Sequence, residues 1–171
     1  MKKMRVNGRF IFSGILATLV IALSYSAIAG PDNVAKLAKV SASAELNVSY
    51  TAVNVIDGLI RTYGIGEWAS NSKENPWGGI NYPWIQLNWE KVQVIDKIIF
   101  YDRASLESHL AGGTLQFSDG SELSVNLIPN DGSACVVEFP AKEVEWFRFE
   151  VRDGIGDNMG LSEIEVFPST E

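Results

Sequence analysis

Apolar and polar positions alternate along much of the chain after residue 30, and this alternation predicts β-strands. In residues 145–151 (EWFRFEV) every second position from Phe147 onward is apolar and the positions between are polar or large amphipathic residues. A period of two marks a strand with one buried face. Other runs are rich in β-branched and aromatic residues and predict further strands, namely residues 83–90, 92–102, 113–128, 134–139 and 161–167. Asp119-Gly120 divides the run at 113–128 and predicts a hairpin turn. The many short strands, with no helical period beyond a turn or two near residues 52–57, favour an antiparallel sandwich or barrel.

The first 29 residues have the composition of a secretory signal peptide. Residues 1–9 carry four basic side chains and no acid, a long apolar run follows, and the run closes on Ala27-Ile28-Ala29. Small residues at these positions are typical of a cleavage site, and the alternative is an uncleaved membrane anchor. We therefore expect a signal peptide over 1–29, a lead-in over 30–38 and one β-domain over 39–168, in a protein that is secreted or periplasmic and has no stable membrane insertion after cleavage near Ala29.

Charge and cysteine content narrow the possible partners. Without residues 1–29 the chain has 10 basic and 21 acidic residues, a net charge of −11. Nucleic acids and anionic membranes attract proteins through Lys and Arg side chains, so a net charge of −11 argues against both, and we expect no nucleic-acid partner. Cys135 is the only cysteine, so neither an internal disulfide nor a cysteine-based zinc site is expected.

Several short motifs occur in an order typical of one family. SASAEL precedes NVIDGLIRTYGIGEWAS, and PWIQLNW, VIDKIIFYDR, LQFSDGS, WFRFEVRD and MGLSEIEVF follow. This order resembles the coagulation factor V/VIII type C, or discoidin, family of the galactose-binding-like superfamily, which includes bacterial carbohydrate-binding modules. The resemblance covers residues 40–167. It implies an all-β fold, an eight-stranded antiparallel jelly-roll β-sandwich, and a non-catalytic binding role.

The resemblance also implies a structural calcium ion. In the family an Asp-Gly turn is followed by a threonine at the spacing of Asp57 to Thr62, a core tryptophan corresponds to Trp68, and a glutamate in the last strand corresponds to Glu163. Such side chains, together with backbone carbonyls, supply the hard oxygen ligands that calcium prefers. Asp57, Thr62 and Glu163 are therefore the expected metal ligands. The alternative is that Asp57 only forms a turn and that Glu163 faces solvent.

The candidate ligand-binding residues lie at or beside predicted loops. Sugar sites combine an aromatic surface with a few polar side chains, and the candidates are Trp77, Tyr82, Arg103, Asp157 and Asn158. Each also has a structural alternative: Trp77 could pack its own loop down, Arg103 could pair with an acid, and Asp157-Asn158 could form a turn.

These observations predict a secreted, non-catalytic carbohydrate-binding module that binds a glycan or cell-surface polysaccharide. His109 is the only histidine and no nucleophile motif accompanies it, so we expect no enzymatic activity. The alternative function is a protein-interaction or adhesion module on the same scaffold, with a protein partner and no sugar site.

Overall fold

Seven strands and two short 3-10 turns make up the part of the chain that the computed structural model describes, which is residues 32–61, 64–71 and 82–170. The turns are η1 (Ala35–Leu37) and η2 (Ala52–Ile56), and the strands are β1 (Lys39–Ala42), β2 (Trp68–Ala69), β3 (Trp84–Asp102), β4 (His109–Phe117), β5 (Glu122–Asn126), β6 (Ala134–Ile155) and β7 (Gly160–Pro168). The predicted signal peptide lies outside the described residues. Within them, no helix is long and apolar enough to cross a membrane.

The strands form one antiparallel hydrogen-bonded network that folds over into two layers. The first part of β3 pairs with β1 and with the end of β6, whereas its second part pairs with the beginning of β6 and with β7. The register between β3 and β6 shifts between Asn88 and Gln93, where both strands pass from one layer to the other. One layer also contains β4 and β5, and the other contains β2 next to β7. This is the predicted all-β jelly-roll sandwich, with seven strands in the described residues where eight strands were predicted for the domain.

Two strands are longer than the sequence predicts. The predicted runs 83–90 and 92–102 join into β3, and the runs 134–139 and 145–151 join into β6. Pairing continues on both sides of the register shift, because irregularities of this kind bend a strand without ending it. Each long strand therefore contributes one segment to each layer.

Aromatic side chains from the two layers meet in the core. The rings of Phe100 and Phe149 lie 4.8 Å apart although their strands do not pair at these positions. The predicted alternation on β3 and β6 is confirmed, because Ile85, Leu87 and Phe147 are fully buried while their sequence neighbours are not. The hairpin at Asp119-Gly120 is also confirmed, between β4 and β5.

The packed domain begins before residue 39. The Asn33 side chain accepts the N–H of Val166 at 2.9 Å, and the N–H of Val34 donates to the carbonyl of the same Val166. The indole of Trp89 donates to the carbonyl of Val34 at 2.9 Å. Much of the segment predicted as a lead-in therefore covers one edge of the core.

Candidate functional site

Several loops meet at one end of the sandwich. β3 ends at Asp102 beside the start of β7, and the start of β4 at His109 pairs with the end of β6 at Ile155. The loops 103–108 and 156–159 are therefore neighbours, although about fifty residues separate them in sequence. Three of the predicted ligand-binding residues lie in this pair of loops, Arg103 in the first and Asp157 and Asn158 in the second.

Arg103 is tied to both neighbouring segments. Its Nε forms an ion pair with Glu67 Oε1 at 2.9 Å, in which the side chains are 11% and 2% exposed. Its Nη1 donates to the carbonyl oxygen of Asn158 at 2.5 Å, and its guanidinium lies 5.6 Å from the ring centre of Tyr50. The structure thus brings Arg103 and Asn158 together and gives Arg103 the acidic partner that the structural alternative predicts. Among the described residues, its Nη2 has no hydrogen-bond partner.

A second set of contacts fixes the loop 156–159. The N–H of Asn158 donates to Ser108 Oγ at 2.7 Å. Gly156 adopts φ +74° and its backbone lies against the carbonyl oxygen of Glu107, so a side chain at this position would collide with the neighbouring loop. The backbone around Asn158 is therefore held in place by loop 103–108.

Asp102 lies beneath these loops with an unusual carboxyl group. It is fully buried, its Oδ1 accepts the N–H of Leu110 at 3.4 Å, and its Oδ2 has no partner among the described residues. Burial raises the pKa of Asp102 to about 8, against the opposing effects of bonds from backbone N–H groups and of the nearby Arg103 charge. Burial therefore favours the protonated, neutral form of Asp102.

The other predicted ligand-binding residues are placed separately. The ring of Tyr82 lies 5.3 Å from the guanidinium of Arg152 on β6, rather than against Arg103. Asp157 is exposed beside Asn158. Trp77 lies outside the described residues. Ser70 and Tyr82 stand on either side of that segment, and the N–H of Ser70 donates to the carbonyl of Met159 at 2.9 Å.

The sequence did not point to Tyr50 or Glu67. Glu67 directly precedes the fully buried Trp68 and is itself 2% exposed. An acid next to a core residue is a weak signal that an arginine partner exists, since buried carboxylates are rarely unpaired. It does not say which arginine, because Glu67 and Arg103 are 36 positions apart in the sequence and only the fold brings them together.

Of the predicted metal ligands, Asp57 is paired with an arginine side chain and Glu163 with a backbone N–H. The Asp57 carboxylate lies 2.8 Å from Arg61 Nη1, and Glu163 Oε1 accepts the N–H of Gly58 at 3.2 Å. Thr62 lies outside the described residues. Among the described residues no group of three His, Cys, Asp or Glu side chains could hold a metal ion. The calcium ion stays a prediction, and the described oxygens fit a guanidinium better than they fit calcium.

The burial of Glu163 differs from both expectations for this residue. It was expected either to bind metal or to face solvent, and it is 1% exposed, with Oε2 unpartnered among the described residues. η2 packs against β7, and Gly58, just after η2, donates its N–H to the buried Glu163 carboxyl group. Burial, followed by the nearby charges of Asp57 and Glu165, raises the pKa of Glu163 to about 8, while the Gly58 N–H opposes the shift.

Three solved structures show the same fold. CpGH89CBM32-5 from Clostridium perfringens, in complex with GalNAc-β-1,3-galactose, is 18% identical, with a TM-score of 0.62 over 80% of this chain and 99% of that one. Chitosan-binding module 1 of a chitosanase/glucanase from Paenibacillus sp. IK-5 is 22% identical, with a TM-score of 0.61 over 80% and 98% of the two chains. A fucolectin from Morone saxatilis is 19% identical, with a TM-score of 0.67 over 81% of this chain and 49% of that one.

These similarities confirm the galactose-binding-like fold that the motifs indicate. No curated protein sequence matches the chain. A family defined only as a domain of unknown function, DUF7402, matches residues 33–167, which is most of the chain and includes all of the loops described above. The chain therefore belongs to the DUF7402 family.

Proposed function

We propose that this protein is a secreted, non-catalytic carbohydrate-binding module. The observation that carries the proposal is its similarity, over about four fifths of the chain, to modules from a clostridium and a Paenibacillus species and to a fish lectin that are each named for, or bound to, a saccharide. A fold alone does not determine function, so the site must supply the chemistry.

The end of the sandwich with Arg103 and Asn158 is the proposed binding site. The contacts with Glu67 and Asn158 hold the guanidinium of Arg103 in one orientation before any ligand arrives, and a fixed donor loses little entropy on binding a hydroxyl group. In this proposal Nη2 of Arg103 and the amide of Asn158 bind sugar hydroxyls. Trp77 stacks on the apolar face of the sugar ring.

Asp157 completes the proposed site at its margin, whereas the predicted ligand residue Tyr82 has its ring against Arg152 on β6. Asp157 is exposed and adjacent to Asn158, so its carboxylate is available to accept hydrogen bonds from hydroxyl groups. The predicted signal peptide supports secretion. The net charge of −11 after its removal supports a neutral or cationic glycan over an anionic one, because like charges repel.

A pair of tryptophan variants tests the proposal. Trp77→Ala removes the proposed stacking side chain, whereas Trp146→Ala removes a half-buried tryptophan from the outward face of β6, in the sheet rather than the loops. Both proteins are compared with wild type by affinity electrophoresis in gels containing a polysaccharide that retards the wild type. Loss of stacking weakens binding by about 1–3 kcal/mol by analogy with other ring-stacking sites, which is at least about fivefold.

We expect Trp77→Ala to be retarded less than the wild type, with an affinity at least about fivefold lower, and Trp146→Ala to be retarded like the wild type. Melting curves of both variants show whether each is folded. Unchanged retardation of a folded Trp77→Ala protein would refute the proposed site. A wild-type protein that no polysaccharide retards, but that co-purifies with a protein, would favour the adhesion alternative.

A further inference from the structure

A guanidinium lies among oxygen atoms in the loop where the family resemblance implies calcium. Arg61 Nη1 is 2.8 and 3.1 Å from the two carboxylate oxygens of Asp57. It is 3.3 Å from the carbonyl oxygen of Leu59 and 2.6 Å from that of Gly66. One nitrogen thus faces four oxygens from three residues, including two of the backbone carbonyls that a hard cation would use.

The backbone of Arg61 is anchored to the core. Its N–H donates to Ser162 Oγ at 2.7 Å, and the Ser162 hydroxyl donates to the carbonyl oxygen of Arg61 at 3.1 Å. Ser162 is fully buried on β7. Two bonds to one rigid hydroxyl fix the point from which the Arg61 side chain starts.

The opposite wall of the loop leaves room for this side chain. Gly66 has φ +83°, and a Cβ built on it would lie 2.7 Å from Arg61 Nε and 2.8 Å from Arg61 Cζ. The guanidinium therefore packs directly against the Gly66 backbone, where any other residue would displace it. The anchor on β7 and the cradle at Gly66 are independent features that both place the guanidinium among the oxygens.

A calcium ion and this guanidinium cannot share the same oxygens. Calcium needs six to eight oxygens at about 2.3–2.6 Å, and the Asp57 carboxylate is already paired with Arg61. The second predicted carboxylate, Glu163, is held by the Gly58 N–H through Oε1, and only its Oε2 is left without a partner among the described residues. Calcium could therefore enter only by displacing Arg61.

We propose that the Arg61 guanidinium is the resident cation of this loop and makes its folding independent of calcium. The positive charge that joins Asp57 to the carbonyls of Leu59 and Gly66 is then part of the chain itself. Such a module keeps its loop in media without calcium. Its stability no longer follows the calcium concentration outside the cell.

Thermal melting with and without metal tests the proposal. Wild type, Arg61→Ser and a control, Arg152→Ser, are melted in EDTA and in excess calcium chloride. Arg152 pairs with Glu150 on the sheet surface, with side chains 49% and 23% exposed, so the control removes an arginine and an ion pair without touching the loop. We expect the wild-type and control midpoints to be the same in both buffers. In EDTA, Arg61→Ser should melt about 5–10 °C below wild type.

Calcium should raise the midpoint of Arg61→Ser, because the variant frees the oxygens and leaves Asp57 and Glu163 to bind the ion. Three results would each overturn the proposal: a wild-type midpoint that rises with calcium, an Arg61→Ser midpoint in EDTA equal to that of wild type, or an Arg61→Ser protein that calcium does not stabilise.

If Arg61→Ser does not fold in EDTA, Arg61→Lys takes its place. Arg61→Lys keeps a cation in the loop, so its melting temperature should lie between those of wild type and Arg61→Ser and should be the same with and without calcium. A melting temperature of Arg61→Lys that rises with calcium would contradict the proposal.

Discussion

Replacing Arg103 by methionine should destabilise the whole domain, because it leaves the carboxylate of Glu67 buried without its partner. The two side chains are 11% and 2% exposed and lie 2.9 Å apart. Breaking such a buried pair by removing one partner costs about 3–5 kcal/mol, and most of that cost is the uncompensated charge. The variant also loses the bond from Nη1 to the Asn158 carbonyl. For a domain of this length the midpoint of thermal unfolding should fall by roughly 10–20 °C.

The assay is urea denaturation at pH 7, with tryptophan fluorescence as the readout. Arg152→Met is the matched control, since it makes the same substitution at an ion pair on the sheet surface. Surface pairs contribute less than about 1 kcal/mol, so the control should unfold close to wild type. A loss below about 1 kcal/mol for Arg103→Met would refute the view that this pair fastens the loops.

The double variant Glu67→Gln/Arg103→Met separates the charge from the packing. It should recover part of the lost stability, because an amide can stay buried at a smaller cost than a carboxylate. The same denaturation measurement is a control for binding assays of Arg103 variants, because a loss of sugar binding is informative only if the loops remain folded.

Two further predictions concern a buried acid and a crowded glycine. Burial raises the pKa of Asp102 to about 8 in the folded state, whereas the carboxyl group ionises near pH 4 in the unfolded chain. Between these two pH values the folded state binds the extra proton, so the free energy of unfolding falls as the pH rises. The fall is at most about 1.4 kcal/mol per pH unit. Asp102→Asn should gain on wild type in urea denaturation from pH 5 to pH 8, and a constant difference would contradict this. A Cβ at Gly160 would collide with the Trp68 carbonyl oxygen, whereas one at Gly120 meets open space at φ +82°. Gly160→Ala should therefore lower the melting temperature more than Gly120→Ala, which loses only about 1–2 kcal/mol to its backbone conformation; an equal loss would show that β2 adjusts freely.

The strands could be predicted from the sequence because burial follows a period of two. Phe147 and Phe149 alternate with polar neighbours and are fully buried as expected. The turn at Asp119-Gly120 could also be predicted, because the preference of Asp-Gly for a hairpin turn depends only on neighbouring residues. The continuity of β3 could not be predicted from the sequence. Its pairing with β6 resumes at Gln93 after a shift in register, and the local sequence pattern does not distinguish one bent strand from two separate strands.

The contacts of the sites were much harder to predict. Arg61 bonds Ser162 across 101 residues, and Glu67 reaches Arg103 across 36, so both depend on the order of strands in the sheet. Glu163 shares a strand face that would be solvated in an uncovered sheet. It is buried, with η2 packed against β7 and the N–H of Gly58 bonded to its carboxyl group, and single-sequence patterns do not show which loop lies against which strand.

Binding of the wild-type protein, without its predicted signal peptide, to a broad glycan array tests the central claim most directly. Each array is probed in EDTA and in calcium. The account predicts concentration-dependent binding to a defined group of neutral or cationic glycans, equal in the two buffers. Absence of binding to every glycan by a protein with a cooperative melting transition would contradict the assignment as a carbohydrate-binding module.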